Sequence, residues 1–332
     1  MLSSIPSPSF NSIGPFRLYG LIIALGVLAA VWLGQRRYAA RGGNAEDISN
    51  IALWAVPAGL IGARLYHVIT DWQKLYSGGR WWPDAFQIWN GGLGIPGGII
   101  GGTLAGYLYV RRKGLPSKIL LDVAAPCLPL AQAIGRFGNY FNQELFGRPT
   151  SLPWGLSIDP EHRPERYLAE PTFHPTFLYE SLWSLGVVGL IIWIDRTGKL
   201  RNGKLFPLYT GGYFLGRMWV EELRSDPAAQ VGTLRWNFVF SIIMVGVSAI
   251  WFLWQGPLRK DGDAPPTVQP VEGADGTGLA NSGPVGQGGS AEALDDGVGE
   301  ARPEVEGPAP ELVGAERDQG EADGGVDPEE RA

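Results

Sequence analysis

Seven apolar segments, each close to 20 residues long, constrain this chain more than any other feature of its sequence. They lie near residues 18–35, 48–69, 93–110, 117–135, 176–194, 205–223 and 236–254. A helix needs about 20 apolar residues to cross a bilayer, and a segment in lipid must satisfy its backbone hydrogen bonds internally. The sequence therefore predicts an all-α, polytopic integral membrane protein, a helical bundle with seven transmembrane helices.

The formal net charge of −6 is divided unevenly along the chain. Residues 261–332 contain 18 acidic and 3 basic residues, which leaves 15 acidic and 24 basic residues for positions 1–260. The acidic segment is rich in Gly, Pro, Glu and Asp, and it lacks the apolar surface needed to offset the entropy lost on folding. We therefore expect a seven-helix membrane domain over residues 1–260 and a disordered acidic C-terminal tail over residues 261–332.

Lysine and arginine residues alternate between the two sides of the predicted bundle. They are concentrated in the loops after the first, third, fifth and seventh apolar segments and are sparser in the other short connections. Because positively charged loops remain in the cytoplasm, the N-terminus and the long 136–175 segment are predicted outside and the tail in the cytoplasm. Long connections are commonly functional or disordered, and Trp154, Tyr167 and Phe173 favour an ordered one here.

The stretch 135–148 follows directly on the fourth apolar segment. It places Arg136, Asn139, Asn142 and Glu144 among glycines and aromatic residues at the predicted outer surface. Polar groups at membrane depth are costly, so they need a partner or a function. The stretch is therefore the first candidate for a functional site.

Other polar residues are predicted to reach the same half of the membrane. On the sixth segment, Tyr213, Arg217 and Glu221 follow one another at four-residue spacing and share a helix face. At 1.5 Å per residue, Arg217 lies about 18 Å from the cytoplasmic start of that helix. Tyr19 begins the first segment and His174 precedes the fifth, so both are expected near the outer surface.

Structural explanations exist for single members of this set. Arg217 and Glu221 can neutralise each other inside the bundle, and Arg136 can extend its guanidinium to the membrane surface. Neither explanation accounts for two arginines on different helices at one level. Two planar guanidinium groups suit phosphate, so the headgroup of an outer-leaflet phospholipid is the predicted ligand.

The same sequence limits the chemistry. It contains no carboxylate cluster with metal-ligand spacing, no phosphate-binding loop and no nucleophile elbow, and its one cysteine, Cys127, leaves no internal disulfide. We therefore predict group transfer near a phosphate, driven by electrostatic stabilisation of the leaving group and without a metal or cofactor. The residues themselves do not identify the acceptor.

The run 135–142, followed by Glu144, Gly147 and Arg148, resembles the signature of bacterial prolipoprotein diacylglyceryl transferases. The resemblance covers residues 13–254. Its other elements are Ile13-Gly14-Pro15, Tyr19-Gly20, Gly62-Ala63-Arg64, Trp89-Asn90-Gly91-Gly92, Asp122 with Pro126, His174-Pro175, Tyr179-Glu180, and Arg217 with Glu221 and Arg224.

This resemblance implies a seven-helix catalytic domain in the bacterial cytoplasmic (inner) membrane. Enzymes of the family move the diacylglyceryl group of phosphatidylglycerol onto the lipobox cysteine thiol of a prolipoprotein, so that a thioether forms and glycerol phosphate leaves. The implied partners are phosphatidylglycerol, the prolipoprotein signal peptide and the lipid bilayer, with no nucleic acid. Because the acceptor cysteine belongs to the substrate, Cys127 is not expected to be catalytic.

The candidate site residues have two roles under this resemblance. The catalytic candidates are Arg136, Glu144, His174 and Arg217. The candidates for binding phosphatidylglycerol are Tyr19, Arg136, Asn139, Asn142, Tyr213, Arg217 and Glu221.

One departure from the family pattern concerns the proton of the acceptor thiol. The family commonly has a histidine, which has been assigned a catalytic role, where this chain has Pro96. In one route, His174 acts as the base instead. In the other, which we favour, the positive field of Arg136 and Arg217 lowers the pKa of the thiol. Glu144 or the lipid phosphate then takes the proton.

The main rival function is a transporter or a non-enzymatic binder of an anionic lipid. Such a protein would need the same arginines but would perform no chemistry. Transporters often show internal repeats and a site at the membrane centre, whereas this sequence has no internal repeat and its polar residues lie on the outer side. A purely structural bundle is a third interpretation, which the two arginines disfavour.

Overall fold

Seven α-helices lie among the residues that the computed structural model describes, which are 4–14, 16–72, 92–225, 230–259 and 267–268. Each helix overlaps one of the predicted apolar segments, so the all-α prediction is confirmed for this part of the chain. In chain order they are α1 (Leu18–Ala39), α2 (Ala45–Thr70), α3 (Ile95–Arg112), α4 (Ser117–Phe141), α5 (Thr176–Arg196), α6 (Leu205–Leu223) and α7 (Trp236–Trp254).

Two predicted features lie outside the described residues. The motif Trp89-Asn90-Gly91 is one of them. The other is the acidic tail, of which only residues 267–268 are described. The disorder of the tail therefore stays a prediction.

Five of the described helices are long and apolar enough to cross a bilayer, namely α1, α2, α4, α5 and α7. Helices α3 and α6 contain 18 and 19 residues. Two arginines end α3, and α6 carries Arg217, Glu221 and Glu222, which lower its mean hydropathy. The count of seven spans stays a prediction for these two helices.

The outer faces of the helices carry large apolar side chains. Leu53 is 67% exposed, Ile61 69%, Ile250 69% and Trp254 86%. Apolar surface in water costs roughly 25 cal/mol per Å². Exposing many large apolar side chains would therefore be unfavourable in a soluble protein. A hydrocarbon environment removes that cost.

Helix α4 is the centre of the bundle, because it packs against α1, α5 and α6. It is close to α1: a Cβ on Gly26 would lie 3.0 Å from the carbonyl oxygen of Ala131. The sequence predicted an end near residue 135, but the helix continues to Phe141. Gly138 remains helical, and its missing side chain leaves space for the ring of Tyr19, which a Cβ there would approach to 2.7 Å.

One end of the bundle is tied together by acidic side chains. The carboxylate of Asp122 in α4 accepts hydrogen bonds from the backbone N–H groups of Gly203 (2.6 Å) and Leu205 (2.8 Å), where α6 begins. Asp195, near the end of α5, accepts from Arg37 at 3.1 Å and Arg41 at 2.8 Å. These contacts fix where α6 starts, and thereby the level that its residues reach along the bundle.

The connection between α4 and α5 lies at the opposite end. It contains two short antiparallel strands, β3 (Leu156–Ser157) and β4 (Thr172–Phe173), and two 3-10 turns, Pro160–His162 and Glu165–Tyr167. Its apolar cluster consists of Phe146, Leu156, Ile158, Phe173 and Phe177. The other strands are β1 (Ser12–Ile13) with β2 (Phe16–Arg17) before α1, and β5 (Gln230–Val231) with β6 (Leu234–Arg235) before α7.

Candidate active site

Glu180, one turn into α5, is the point on which three arginines converge. Its buried carboxylate pairs with Arg136 near the end of α4. It lies 3.8 Å from Nη1 of Arg217 in α6 and 4.0 Å from Nη1 of Arg224, the residue after α6. Packing of α5 between α4 and α6 therefore brings together cations that lie far apart in the sequence.

A second buried carboxylate, that of Glu221, continues this network. Its Oε2 lies 2.9 Å from Nη2 of Arg217, and its Oε1 accepts from Nε of Arg235 at 2.7 Å and from Nδ2 of Asn237 at 3.2 Å. Glu221 is completely buried, so its carboxylate depends on these donors to offset the loss of hydration. The pairing of Arg217 with Glu221 that the sequence allowed is thus present, as part of a larger assembly.

We refer to Arg136, Arg217, Arg224 and Arg235 with Glu180 and Glu221 as the arginine cluster. Its four guanidinium groups face two buried carboxylates. The side chains of Arg136 and Arg217 remain 18% and 16% exposed. Because a guanidinium group is always charged and offers a planar fork of donors, these two exposed arginines are suited to an anionic ligand.

The end of α4 supplies a second polar group, which we call the signature arm: Tyr19, Asn139, Asn142 and Glu144. Glu144 Oε1 accepts from Nδ2 of Asn139 at 3.0 Å and from Nδ2 of Asn142 at 3.3 Å. Asn139 is buried and Glu144 is exposed. Asn139 follows Arg136 by three residues on α4, and the ring of Tyr19 packs at Gly138, so the arm lies beside the arginine cluster.

A cleft between α5 and α6 opens onto the arginine cluster. The cleft is narrow, with a cavity of about 10 Å³ that has room for about one water molecule, and its lining includes Glu180, Arg217, Tyr213 and Trp183. The indole N–H of Trp183 donates to the backbone carbonyl of Gly212 at 2.8 Å, which fixes the ring against α6. The cleft therefore has a carboxylate on its α5 side and an arginine and a tyrosine on its α6 side.

An apolar groove lies on the other side of α5, between α1, α4 and α5. Its empty volume is about 580 Å³. Its lining includes Ile22, Leu25, Ala133, Ile134, Phe137 and Leu185. Because Ala133, Ile134 and Phe137 are neighbours of Arg136 on α4, a hydrocarbon chain in the groove would lie beside the arginine cluster.

His174 occupies a different environment. Its Nδ1 lies 3.4 Å from the hydroxyl of Tyr179, and that hydroxyl accepts from Nε1 of Trp154 at 2.9 Å. Its backbone N–H donates to Arg148 and its carbonyl accepts from Gly147. Burial lowers the pKa of His174, which favours the neutral imidazole.

One group of potential metal ligands occurs among the described residues, formed by Asp159, Glu161 and His162. It lies in the α4–α5 connection and contains no member of the arginine cluster. Both oxygens of Asp159 already accept hydrogen bonds, from Ser7 at 2.8 Å and from Gln143 at 2.6 Å. The Asp159 carboxylate therefore has a structural role, because it links Ser7 and Gln143 to the α4–α5 connection.

The structure thus sorts the predicted site residues into separate groups. Arg136, Arg217 and Glu221 belong to the arginine cluster, Tyr213 lines the adjacent cleft, and the four residues of the signature arm lie beside it. The contacts described for His174 are with Tyr179 and with the loop backbone.

Three members of the arginine cluster, Glu180, Arg224 and Arg235, were not among the predicted site residues. A carboxylate inside an apolar segment was a usable signal for Glu180. Arg235 lies where α7 begins, as does Asn237, which also contacts Glu221, and nothing in their local sequence indicates these contacts.

Comparisons with known proteins relate this chain to one protein family. Residues 8–254 match the family model described as prolipoprotein diacylglyceryl transferase. A phosphatidylglycerol–prolipoprotein diacylglyceryl transferase from Cutibacterium acnes is 53% identical over 245 residues, 73% of this chain and 83% of the relative. Proteins with the same name from Streptomyces griseus and Rhodococcus jostii are 47% identical over 262 residues and 41% identical over 321 residues. These alignments cover 78% and 92% of this chain, and 79% and 85% of the relatives.

Proposed function

The chain belongs to the prolipoprotein diacylglyceryl transferase family, and we propose that it transfers the diacylglyceryl group of phosphatidylglycerol to the lipobox cysteine thiol of a prolipoprotein. The sulfur forms a bond to a glycerol carbon, the bond from that carbon to the phosphate oxygen breaks, and glycerol phosphate leaves with the thiol proton. The observation that carries this proposal is the arginine cluster, in which Arg136 and Arg217 are held by buried carboxylates, remain partly exposed and lie beside an apolar groove.

Arg136 and Arg217 are the proposed phosphate ligands. Both side chains are partly exposed, at 18% and 16%, so a headgroup can reach them while their carboxylate partners remain buried. The phosphodiester of the lipid carries one negative charge, and the departing phosphate monoester carries between about 1.5 and 2 at pH 7. The cluster therefore stabilises the charge that develops as the bond breaks.

The lipid itself is held at two places in this proposal. An acyl chain lies in the apolar groove, and the polar part of the headgroup meets Tyr19, Asn139 and Asn142 of the signature arm and Tyr213 in the cleft. Glu221 contributes by orienting Arg217, because it is too deeply buried to reach a ligand itself.

The thiol proton is removed in the field of the same arginines. An unperturbed cysteine has a pKa of about 8.5, so about 3% is thiolate at pH 7, and neighbouring cations raise that fraction. Glu144 is exposed beside Asn139 and is the proposed proton acceptor together with the lipid phosphate. The hydrogen bonds that involve His174 and Tyr179 support a structural role for this histidine.

The proposal includes a placement in the bacterial inner membrane. At 1.5 Å per residue, α3 and α6 are about 27 and 28 Å long, close to the hydrocarbon thickness of about 30 Å, so seven spans are possible by length. The distribution of Lys and Arg supports an outside N-terminus, an outside 136–175 segment and a cytoplasmic tail. The polar ends of α4 and α6 then face the outer leaflet, where the signal peptide arrives.

A direct test incubates the purified protein with phosphatidylglycerol vesicles and a synthetic lipobox peptide. The mass of the peptide should rise by one diacylglyceryl group, and a peptide with serine in place of the acceptor cysteine should be unchanged. A protein that retains the lipid but never alters the peptide mass would be a binder or transporter, and the proposed transfer would be wrong.

A further inference from the structure

The backbone that follows α4 is strained on both sides of Glu144. Gln143 has φ of 51° and Leu145 has φ of 56°. Residues other than glycine avoid this left-handed region, and each such residue costs about 1–3 kcal/mol unless the surrounding structure enforces it. The structure must therefore contain contacts that hold this short segment in place.

Gln143 makes the most specific of these contacts. Its side chain is buried, and its Nε2 donates to Oδ2 of Asp159 at 2.6 Å while its Oε1 accepts from the backbone N–H of Asp159 at 2.8 Å. Both ends of one amide thus bind a single residue 16 positions away. This two-point contact fixes the backbone at residue 143 relative to the α4–α5 connection.

Asp159 is in turn held by the N-terminal segment. The hydroxyl of Ser7 donates to its Oδ1 at 2.8 Å, and the hydroxyl of Tyr140 donates to the carbonyl of Pro6 at 3.0 Å. Ile5 forms a β-bridge with Leu156. Three parts of the chain therefore meet at Asp159: the N-terminal segment, the end of α4 and the α4–α5 connection.

The second strained residue is secured from α5. The hydroxyl of Thr176 donates to the carbonyl of Leu145 at 2.5 Å. Between the two strained positions, the N–H of Glu144 donates to the carbonyl of Asn139 at 3.1 Å, and its carboxylate accepts from the side chain of the same asparagine. The direction of the Glu144 carboxylate thus depends on the left-handed turns at residues 143 and 145.

We propose that Gln143 is a positioning residue, which acts through Asp159 to hold the strained turn that directs the Glu144 carboxylate toward Asn139. This inference rests on the proposed function, because it assigns Gln143 to the placement of the proton acceptor in that reaction. It explains why Gln143, with its buried amide, stands at a position where glycine would relieve the backbone strain.

The carboxylate of Asp159 stays ionised from pH 5 to pH 8. The hydrogen bonds from Gln143 and Ser7 lower the pKa of its carboxyl, and His162 and Arg163 add to this effect. A lowered pKa means that the carboxylate and its hydrogen bonds persist at neutral pH and are lost only as the pH falls through that lowered value. The contact between Gln143 and Asp159 is therefore intact from pH 5 to pH 8.

The test uses Gln143→Glu, which keeps the length of the side chain and the bond to the Asp159 N–H but sets two carboxylates against each other. At pH 8 we expect kcat to fall about ten- to hundredfold, the range for one lost hydrogen bond to a charged group, with KM for phosphatidylglycerol within about twofold. Close carboxylates share a proton at lower pH, so the ratio of variant to wild-type activity should rise between pH 8 and pH 5.5.

A second substitution should rescue the first. In the double variant Q143E/D159N, the new amide donates to the carboxylate at 143 and still accepts from Ser7, so kcat at pH 8 should return to within about threefold of wild type. Glu161→Gln is the control, because Glu161 is 80% exposed on the same loop and belongs to no part of the contact. Equal kcat in wild type and Gln143→Glu, or no gain in the double variant, would overturn the proposal.

Hydrogen exchange provides a measurement that does not depend on activity. The peptide covering residues 142–147 should exchange about tenfold faster in Gln143→Glu than in wild type, and the double variant should restore its protection. Unchanged exchange in Gln143→Glu would overturn the positioning role even if the enzyme were active. If Gln143→Glu exchanges faster and the double variant restores protection, but the protein never modifies the lipobox peptide, the contact between Gln143 and Asp159 is supported and the proposed transfer is refuted.

Discussion

Replacing Arg217 by lysine tests whether a guanidinium group at this position does more than supply a positive charge. Arg217 uses two nitrogens: Nη2 lies 2.9 Å from Glu221, and Nη1 lies 3.8 Å from Glu180. Lysine has one nitrogen and no planar fork, so it cannot keep both contacts and also bind phosphate at two points. We therefore expect Arg217→Lys to retain the fold and to lose most of its activity.

The effect of Arg217→Lys on catalysis can be distinguished from its effect on stability by the magnitude of each. Loss of one preorganised donor to a developing anion lowers kcat by about 10²–10³, which corresponds to about 2.7–4 kcal/mol. The positive charge next to the fully buried Glu221 is retained, so the free energy of unfolding should fall by about 1–3 kcal/mol, the cost of one poorly satisfied polar group. The activity loss should therefore exceed what any loss of folded protein explains.

The assay measures initial rates of peptide modification in phosphatidylglycerol vesicles, normalised to folded protein. Arg136→Lys should behave like Arg217→Lys, because both arginines are assigned to phosphate. Arg112→Lys is the matched control, since Arg112 is exposed at the end of α3 and should tolerate the change. Turnover within about threefold of wild type in either active-site variant would remove that arginine from the phosphate site.

Three further predictions concern topology, the tail and the histidine. On a Cys127→Ser background, which should itself be active, a cysteine introduced at Ser157 should react with an impermeant thiol reagent on intact cells and one at Ser290 should not; the reverse pattern would invert the orientation. Truncation after Lys260 should leave turnover in purified membranes unchanged, and a several-fold loss would show that the tail acts on the site. His174→Gln should keep activity within about tenfold, whereas a loss of 10²–10⁴ that is rescued by raising the pH would make His174 the base. Because the folded state lowers the pKa of His174, wild type should also lose stability relative to this variant as the pH falls below about 6.5, which thermal unfolding at several pH values would measure.

The helices could be predicted from the sequence because each one depends on a local property. A run of about 20 apolar residues specifies a helix wherever its neighbours lie, so all seven segments were found. The end of α4 was placed six residues too early, because Arg136 and Asn139 resemble the start of a loop. In the structure they remain helical, since the arginine cluster and the signature arm satisfy their side chains.

The pairing of charges could be predicted only in part. Arg217 and Glu221 are four residues apart on one helix, so their contact follows from helix geometry. The meeting of Arg136 with Glu180 depends on how α4 packs against α5, and that of Arg235 with Glu221 on how α6 packs against the start of α7, which no local pattern contains. The strained turn at Gln143 was equally hidden, because its partner Asp159 lies 16 residues further along the α4–α5 connection, whose course no local pattern specifies.

The most direct test of the account follows an oxygen atom. Phosphatidylglycerol is prepared with ¹⁸O at the oxygen that joins the diacylglyceryl carbon to phosphorus, and the purified protein is supplied with this lipid and the lipobox peptide. If the thiol displaces a phosphate held by the arginine cluster, the peptide gains an unlabelled diacylglyceryl group and all the ¹⁸O leaves in glycerol phosphate. Label in the peptide, or bound lipid with no product, would contradict the central claim.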